Sequence, residues 1–205
     1  MATSAIGTQG VIAQATAVSE RLQLLLSSDR KHVNKTNRDG LCLLHWSVIF
    51  EHYQGMLLLL RHALHAPAFA LLRPFEEMFL RSFVVMYGTE NQVAAIWNGT
   101  YTTEFELIGK QIDHKLGLHP IFGPSFKNKI KTLHGFTHGG KEQLVRQASE
   151  LDIVSSYTDD EVRTLVGKTM PSASLTAFIT EFLGYPAEYQ TALAMFNEYA
   201  QGATS

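Results

Sequence analysis

The chain has 205 residues, 45% of them hydrophobic and 18% charged, with a net charge of −2. It is long enough to bury one full core, and this balance excludes a disordered tail and a uniformly basic nucleic-acid coat. Any surface for a nucleic acid must therefore be local.

The lone cysteine, Cys42, stands between Leu41 and Leu43. It has no partner for an internal disulfide, which points to a buried thiol and a reducing, cytoplasmic setting. The N-terminal stretch lacks a positive region followed by an apolar core, so no secretory signal is expected. The greasiest runs, "GMLLLL" and "SFVVMY", fall far short of the roughly 18 to 20 apolar residues that span a bilayer. No membrane partner is expected.

Apolar residues recur at spacings of three and four almost everywhere, and the period-two alternation of strands is scarce. The fold class is all-α. A first helix is expected over residues 5–28, with Ile12, Val18, Leu22 and Leu25 or Leu26 inward, ending in the polar run 27–40. Asp39 is placed to cap a long central helix over residues 41–64. A third helix, 67–87, should bend near Pro74, where a backbone donor is missing, and stop at Gly88.

Thr89 should cap a short helix to about Asn98, and Thr103 with Glu106 has the capping-box spacing for another to about Leu116. Ser125 should cap 126–138, closed by Gly139 in the left-handed conformation, before a helix over 141–151. Thr158 with Glu161 forms a second capping box, Pro171 should kink or divide the next helix before 174–184, and a last helix covers 187–200. The expected architecture is one domain, 1–205: an antiparallel helical bundle with additional short helices, its motif-bearing core over about 40–150 and C-terminal helices over about 159–201.

From His114 to Lys141 there is no Asp or Glu, while Lys115, Lys127, Lys129, Lys131, Lys141 and four histidines fall in that interval. Phe122, Phe126 and Phe136 are interleaved. Such an island suits a phosphate backbone with rings for unpaired bases; the plainer alternative is a solvated lysine face. On a helix, Lys131, His134 and His138 share one face. His138 in the last turn would feel the negative end of the backbone dipoles, which favours imidazolium and suits proton transfer at a ribose hydroxyl. The alternative is that His138 caps the helix and His134 packs at an interface.

In the third helix, Arg73, Glu77 and Arg81 follow one another at four-residue spacing, with Glu76 beside them, in a segment otherwise rich in Phe, Leu, Val and Met. Charges on so apolar a rod must pair with one another, line a cleft or face a partner. His134 and His138 also have the spacing of a helical zinc pair, with His45, His52 or Glu77 as a third ligand, which leaves a metal-dependent hydrolase as a third reading. Gly135 inside the pair and the lack of Glu after His134 weigh against it, so no metal or other cofactor is assigned.

The combination of "LLRPFEEMFLRS" with "LHGFTHGG" resembles a group of bacterial all-helical families related to the HEPN superfamily, over about residues 40–150. The resemblance implies a helical bundle, often dimeric, from toxin-antitoxin, abortive-infection or other antiphage systems, many members being metal-independent ribonucleases. Their motif is an Arg, four to six residues, then a His. Lys131 and His138 match the longest spacing with Lys in place of Arg, and Arg38 with His45 also fits. On this resemblance His138 transfers protons, Lys131 with Arg73 or His134 stabilises phosphate charge, and Glu77 orients one of those cations. Lys127, Lys129, Lys141 and Arg81 would hold RNA. A homodimer and a partner protein from the same system are expected. The reading from another class is a non-catalytic interaction module: an antitoxin, sensor or scaffold subunit.

Overall fold

The computed structural model describes residues 7–25, 38–115 and 156–203, together with Leu133, 135–137, Leu144 and Arg146. Every regular element among them is a helix: α1 (Thr8–Leu25), α2 (Arg38–Arg61), α3 (His65–Ala70), α4 (Leu72–Tyr87), α5 (Glu90–Trp97), α6 (Phe105–Lys115), α7 (Asp159–Val166), α8 (Thr169–Phe182) and α9 (Pro186–Ala203). The all-α expectation holds. No helix among the described residues is long and apolar enough to cross a membrane.

Helix α2 is the central element because apolar residues surround most of its cylinder. Cys42, Trp46, Ile49, Phe50, Tyr53 and Met56 have no exposed surface at all. Neighbours must cover most of its sides, and α1, α3, α4, α7 and α8 do so, leaving Glu51, Leu58 and Arg61 on an open face. The polar tips of the two largest aromatics on this greasy rod are satisfied: Trp46 Nε1 donates to Thr176 Oγ1 at 3.0 Å and Tyr53 Oη to the Val166 carbonyl at 2.9 Å. These bonds fix the register of α7 and α8 against α2. In α8, the buried hydroxyls of Ser172, Thr176 and Thr180 each donate to the carbonyl four residues back, so this small-residue face enters the core with its donors satisfied.

Helices α2 and α4 run antiparallel. Arg38, at the start of α2, reaches the end of α4, where its Nη1 donates to the Val85 carbonyl at 2.6 Å; Tyr53 stacks near Phe75 at 6.0 Å. Helix α4 instead runs alongside α8, with Glu76 paired to Lys168, Phe83 edge-on to Phe178 and Tyr87 edge-on to Phe182. Helix α9 then folds back through Gly184, whose φ of +76° is the left-handed region glycine tolerates.

Several boundaries differ from expectation. Helix α1 opens at Thr8, and its buried stripe is Ile12, Ala15, Ser19 and Leu22, with Val18 and Leu25 at the margin. Helix α2 opens at Arg38, so Asp39 lies inside the first turn, where its carboxylate faces the positive end of the dipole rather than capping. It ends at Arg61 because Ala63 takes a φ of +55°. Pro74 does not bend a long helix from within. The break falls at Leu71, and Pro74 occupies the third position of α4, where its missing N–H would have served the Ala70 carbonyl just upstream. Pro171 repeats the arrangement, third in α8 after the Gly167–Lys168 turn.

The two capping signals at Thr89 and Thr158 are both realised as complete boxes, Thr89 with Gln92 and Thr158 with Glu161. Helix α6 begins at Phe105, with the Glu104 carbonyl accepting its first bond, one residue later than the Thr103 cap implies; Glu106 pairs with Lys110 at 2.7 Å. Gly88 is required by close approach: a Cβ there would meet the Val84 carbonyl oxygen at 2.5 Å.

The pair that ties α4 to α8 is buried, Glu76 being 5% exposed. Removing one partner of such a pair strands the other, at a cost of about 3–5 kcal/mol. Lys168→Met should lower stability by an amount in that range in urea unfolding, and adding Glu76→Gln should recover most of the loss. Two neutral single variants would show that the pair has no structural role.

Candidate functional site

The outward stripe of α4 follows from its periodicity. Phe75, Glu76, Phe79, Leu80 and Phe83 are buried, which leaves Arg73, Glu77 and Arg81 half-exposed on the opposite side. Arg81 Nη2 pairs with Glu77 Oε1 at 2.6 Å, the four-residue contact expected from the spacing. Arg81 also reaches inward: its Nε is buried and has no hydrogen-bond partner among the described residues.

Beneath this pair lies His45 from α2. One of its ring nitrogens donates to the Met78 carbonyl, while Nδ1 is buried and has no hydrogen-bond partner among the described residues. Burial pushes His45 down to about 4; the nearby Arg81 cation adds to the fall, and the Met78 bond partly opposes it. His45 is therefore a neutral core histidine. The Arg38–His45 spacing has a structural explanation as well. Arg38 satisfies the Val85 and Met86 carbonyls at the end of α4 and pairs with Glu90, two turns away from His45 along α2.

Of the nine candidate site residues, Arg73, Glu77 and Arg81 are described and share the α4 face. Lys127, Lys129, Lys131, His134, His138 and Lys141, with the Ser125 cap, the Gly139 stop and the 141–151 helix, lie outside the described residues. What is described of that stretch docks on the bundle. Leu133 and Phe136 are buried, and Phe136 packs on Phe69 of α3 with ring centroids 5.2 Å apart. Thr137 Oγ1 donates to the Leu133 carbonyl at 2.9 Å, the helical back-bond.

Spacing alone did not reveal the cluster around this contact. Tyr157 stacks on Phe69 at 4.8 Å and on His65 at 5.5 Å, and the Arg146 guanidinium lies 5.1 Å from the Phe136 ring centre and 5.8 Å from that of Tyr157. Arg146 Nε and Nη2 both donate to Glu161 Oε1, at 2.9 and 2.6 Å. The other carboxylate oxygen accepts from the Thr158 backbone N–H at 2.9 Å, so one side chain closes the α7 cap and holds the arginine. Partial burial acts to raise Glu161, but the Thr158 N–H and Arg146 outweigh it and hold the carboxyl below its ordinary range. The Thr158–Glu161 spacing was the only sequence signal for this cluster.

Cys42 is a free, buried thiol pushed up to about 12, mainly by burial, and is inert as a nucleophile. Among the described residues no three His, Cys, Asp or Glu side chains come together in a metal-binding group. Compared with known proteins, the chain matches no family model, no curated protein and no solved structure.

The buried neutral His45 makes stability pH-dependent. Its folded value lies below its unfolded value near 6.5, so the unfolded chain takes up the proton first and stability falls as pH drops from about 6.5 towards 4. The loss should reach roughly 3 kcal/mol. Urea unfolding at pH 7 and pH 4.5 checks this, with His45→Leu expected to flatten the slope in that window. Glu161 contributes its own loss at lower pH, because its folded value is depressed and its pairing disappears as the carboxylate protonates.

Proposed function

We propose that the chain is a HEPN-like, RNA-directed protein of a bacterial antiphage or toxin-antitoxin system, acting in the cytoplasm as a homodimer. The observation that carries this reading is the packing of Phe136 on Phe69. Phe69 lies four residues before Arg73, across the Leu71 break, so a residue of the basic interval docks on the short helix that leads into the charged α4 stripe. The buried free Cys42 supports the reducing compartment.

In this reading His138 moves protons at the ribose 2′-hydroxyl and then at the leaving 5′-oxygen. Lys131, aided by Arg73 or His134, stabilises the charge that develops on the phosphate. Glu77 orients one of these cations while also pairing with Arg81, which contacts the RNA backbone as a fixed donor. Lys127, Lys129 and Lys141 add sequence-independent attraction to phosphates. Attack of the 2′-oxygen on phosphorus displaces the 5′-oxygen and leaves a 2′,3′-cyclic phosphate, a reaction whose proton transfers need only the imidazole. Lysine in place of the family's arginine gives a point charge instead of a fork, so cleavage should be slow.

A second reading, a non-catalytic interaction module, is favoured by a different observation. Glu76 and Glu77 are both engaged within the chain, with Lys168 and Arg81, which accounts for much of the stripe without a ligand.

The test is incubation of the wild type and His138→Ala with a mixed RNA pool in chelator, followed by analysis of fragment ends. Cyclic-phosphate ends produced by the wild type should drop about 100-fold or more in the variant. Equal cleavage by both proteins removes His138 from the mechanism, and cleavage by neither favours the interaction module.

A further inference from the structure

The far end of α4 offers a second site, roughly 20 Å along the helix from Arg73. Here α4 hands over to α5 at Gly88, and α6 returns across the junction. A cavity of about 270 Å³ opens between them. Its shape follows from the glycine: any Cβ at Gly88 would meet the Val84 carbonyl at 2.5 Å and Gln92 Oε1 at 2.9 Å, so α5 can turn this tightly only here. The volume lies just under the range of drug-sized ligands, which limits the occupant to one or two rings.

The floor is apolar and held by the core. Phe83, Ile108 and Ile112 are all buried, and the Tyr87 ring is braced edge-on by Phe182 at 6.2 Å. The rim is polar. Gln92 uses its carbonyl oxygen for the Thr89 backbone N–H at 2.8 Å, so its amide NH₂ takes no part in the capping bond. Gln111 and His114, both exposed on α6, make no hydrogen bond or ion pair among the described residues. Carboxamides present a donor and an acceptor side by side, and imidazole adds another. The combination of aromatic and aliphatic walls with a hydrogen-bonding edge matches a flat heterocycle that carries donors and acceptors along one side. Purine and pyrimidine bases have that chemistry.

We propose that this cavity binds a nucleobase, with its ring against Phe83 and Tyr87 and its polar edge against Gln92 and Gln111. The base would come from a free nucleoside or from an unpaired residue of an RNA chain. The site does not depend on the chemistry proposed for His138, because it shares none of those residues.

The experiment uses the full chain, labelled with nitrogen-15, titrated separately with the four common ribonucleosides, a mixed-sequence RNA tetranucleotide and indole. At least one nucleoside or the tetranucleotide should shift the side-chain amide signals of Gln92 and Gln111 saturably, with a Kd of about 1 mM or tighter. Saturation by a free nucleoside assigns the small-molecule source, and saturation by the tetranucleotide alone assigns RNA. Gln111→Leu, at an exposed position, should weaken that binding about fivefold, the loss of one hydrogen bond. Gln92→Glu keeps the acceptor that closes the Thr89 box while removing the amide donor, and should weaken it similarly. Indole, which has the rings without the complementary edge, should bind the wild type and both variants equally. The proposal is overturned if no nucleoside or tetranucleotide saturates these signals, or if both variants bind as the wild type does.

Discussion

The central packing of this fold follows from the need to cover the apolar faces of α2. A helix with Trp46, Ile49, Phe50, Tyr53 and Met56 wholly inaccessible to water cannot lie on a surface. It recruits α1, α3, α4, α7 and α8 around itself, and the hydrophobic gain scales with the apolar area so removed. Direction comes from the few polar groups on that rod. Trp46 donates to Thr176 and Tyr53 to the Val166 carbonyl, and a slip of α7 or α8 along α2 would break these buried bonds.

Charge does for α4 what those two donors do for α2. Glu76 is drawn to Lys168, Glu77 to Arg81, and Arg38 closes the end of the helix on its last carbonyls. The stripe is thus partly structural, with Arg73, Glu77 and Arg81 still half-exposed on the outer face. That division is why one helix supports both the RNA reading and the interaction reading. The link to the basic interval is aromatic: Phe136 sits on Phe69, with Arg146 over its ring and Glu161 fixing Arg146.

Much of this fold was legible in the sequence, because helix periodicity is local and repeated along the chain. Thr89, Thr158 and Gly88 mark real ends, since a cap acts on backbone groups only three or four residues away. The two prolines were harder to read. A missing donor can end a helix upstream as well as kink one, and Pro74 and Pro171 both stand at the third position of a new helix. Pairings across the fold left no local trace. Glu76 and Lys168 are 92 residues apart, and nothing around Lys168 marks it as a buried partner. Of the candidate site, the α4 spacing correctly placed Glu77 against Arg81, whereas His45, with its buried ring, belongs to the core.

The central claim is that RNA lies across the outer face of α4 and the adjoining basic interval. Photo-crosslinking the full chain to a single-stranded RNA containing 4-thiouridine, then identifying the attached peptides by mass spectrometry, tests that placement directly. The account predicts adducts on the peptides containing Arg73 to Arg81 and on those between Lys127 and Lys141. Adducts confined to α1 or α9, or none at RNA concentrations that saturate binding, would contradict it.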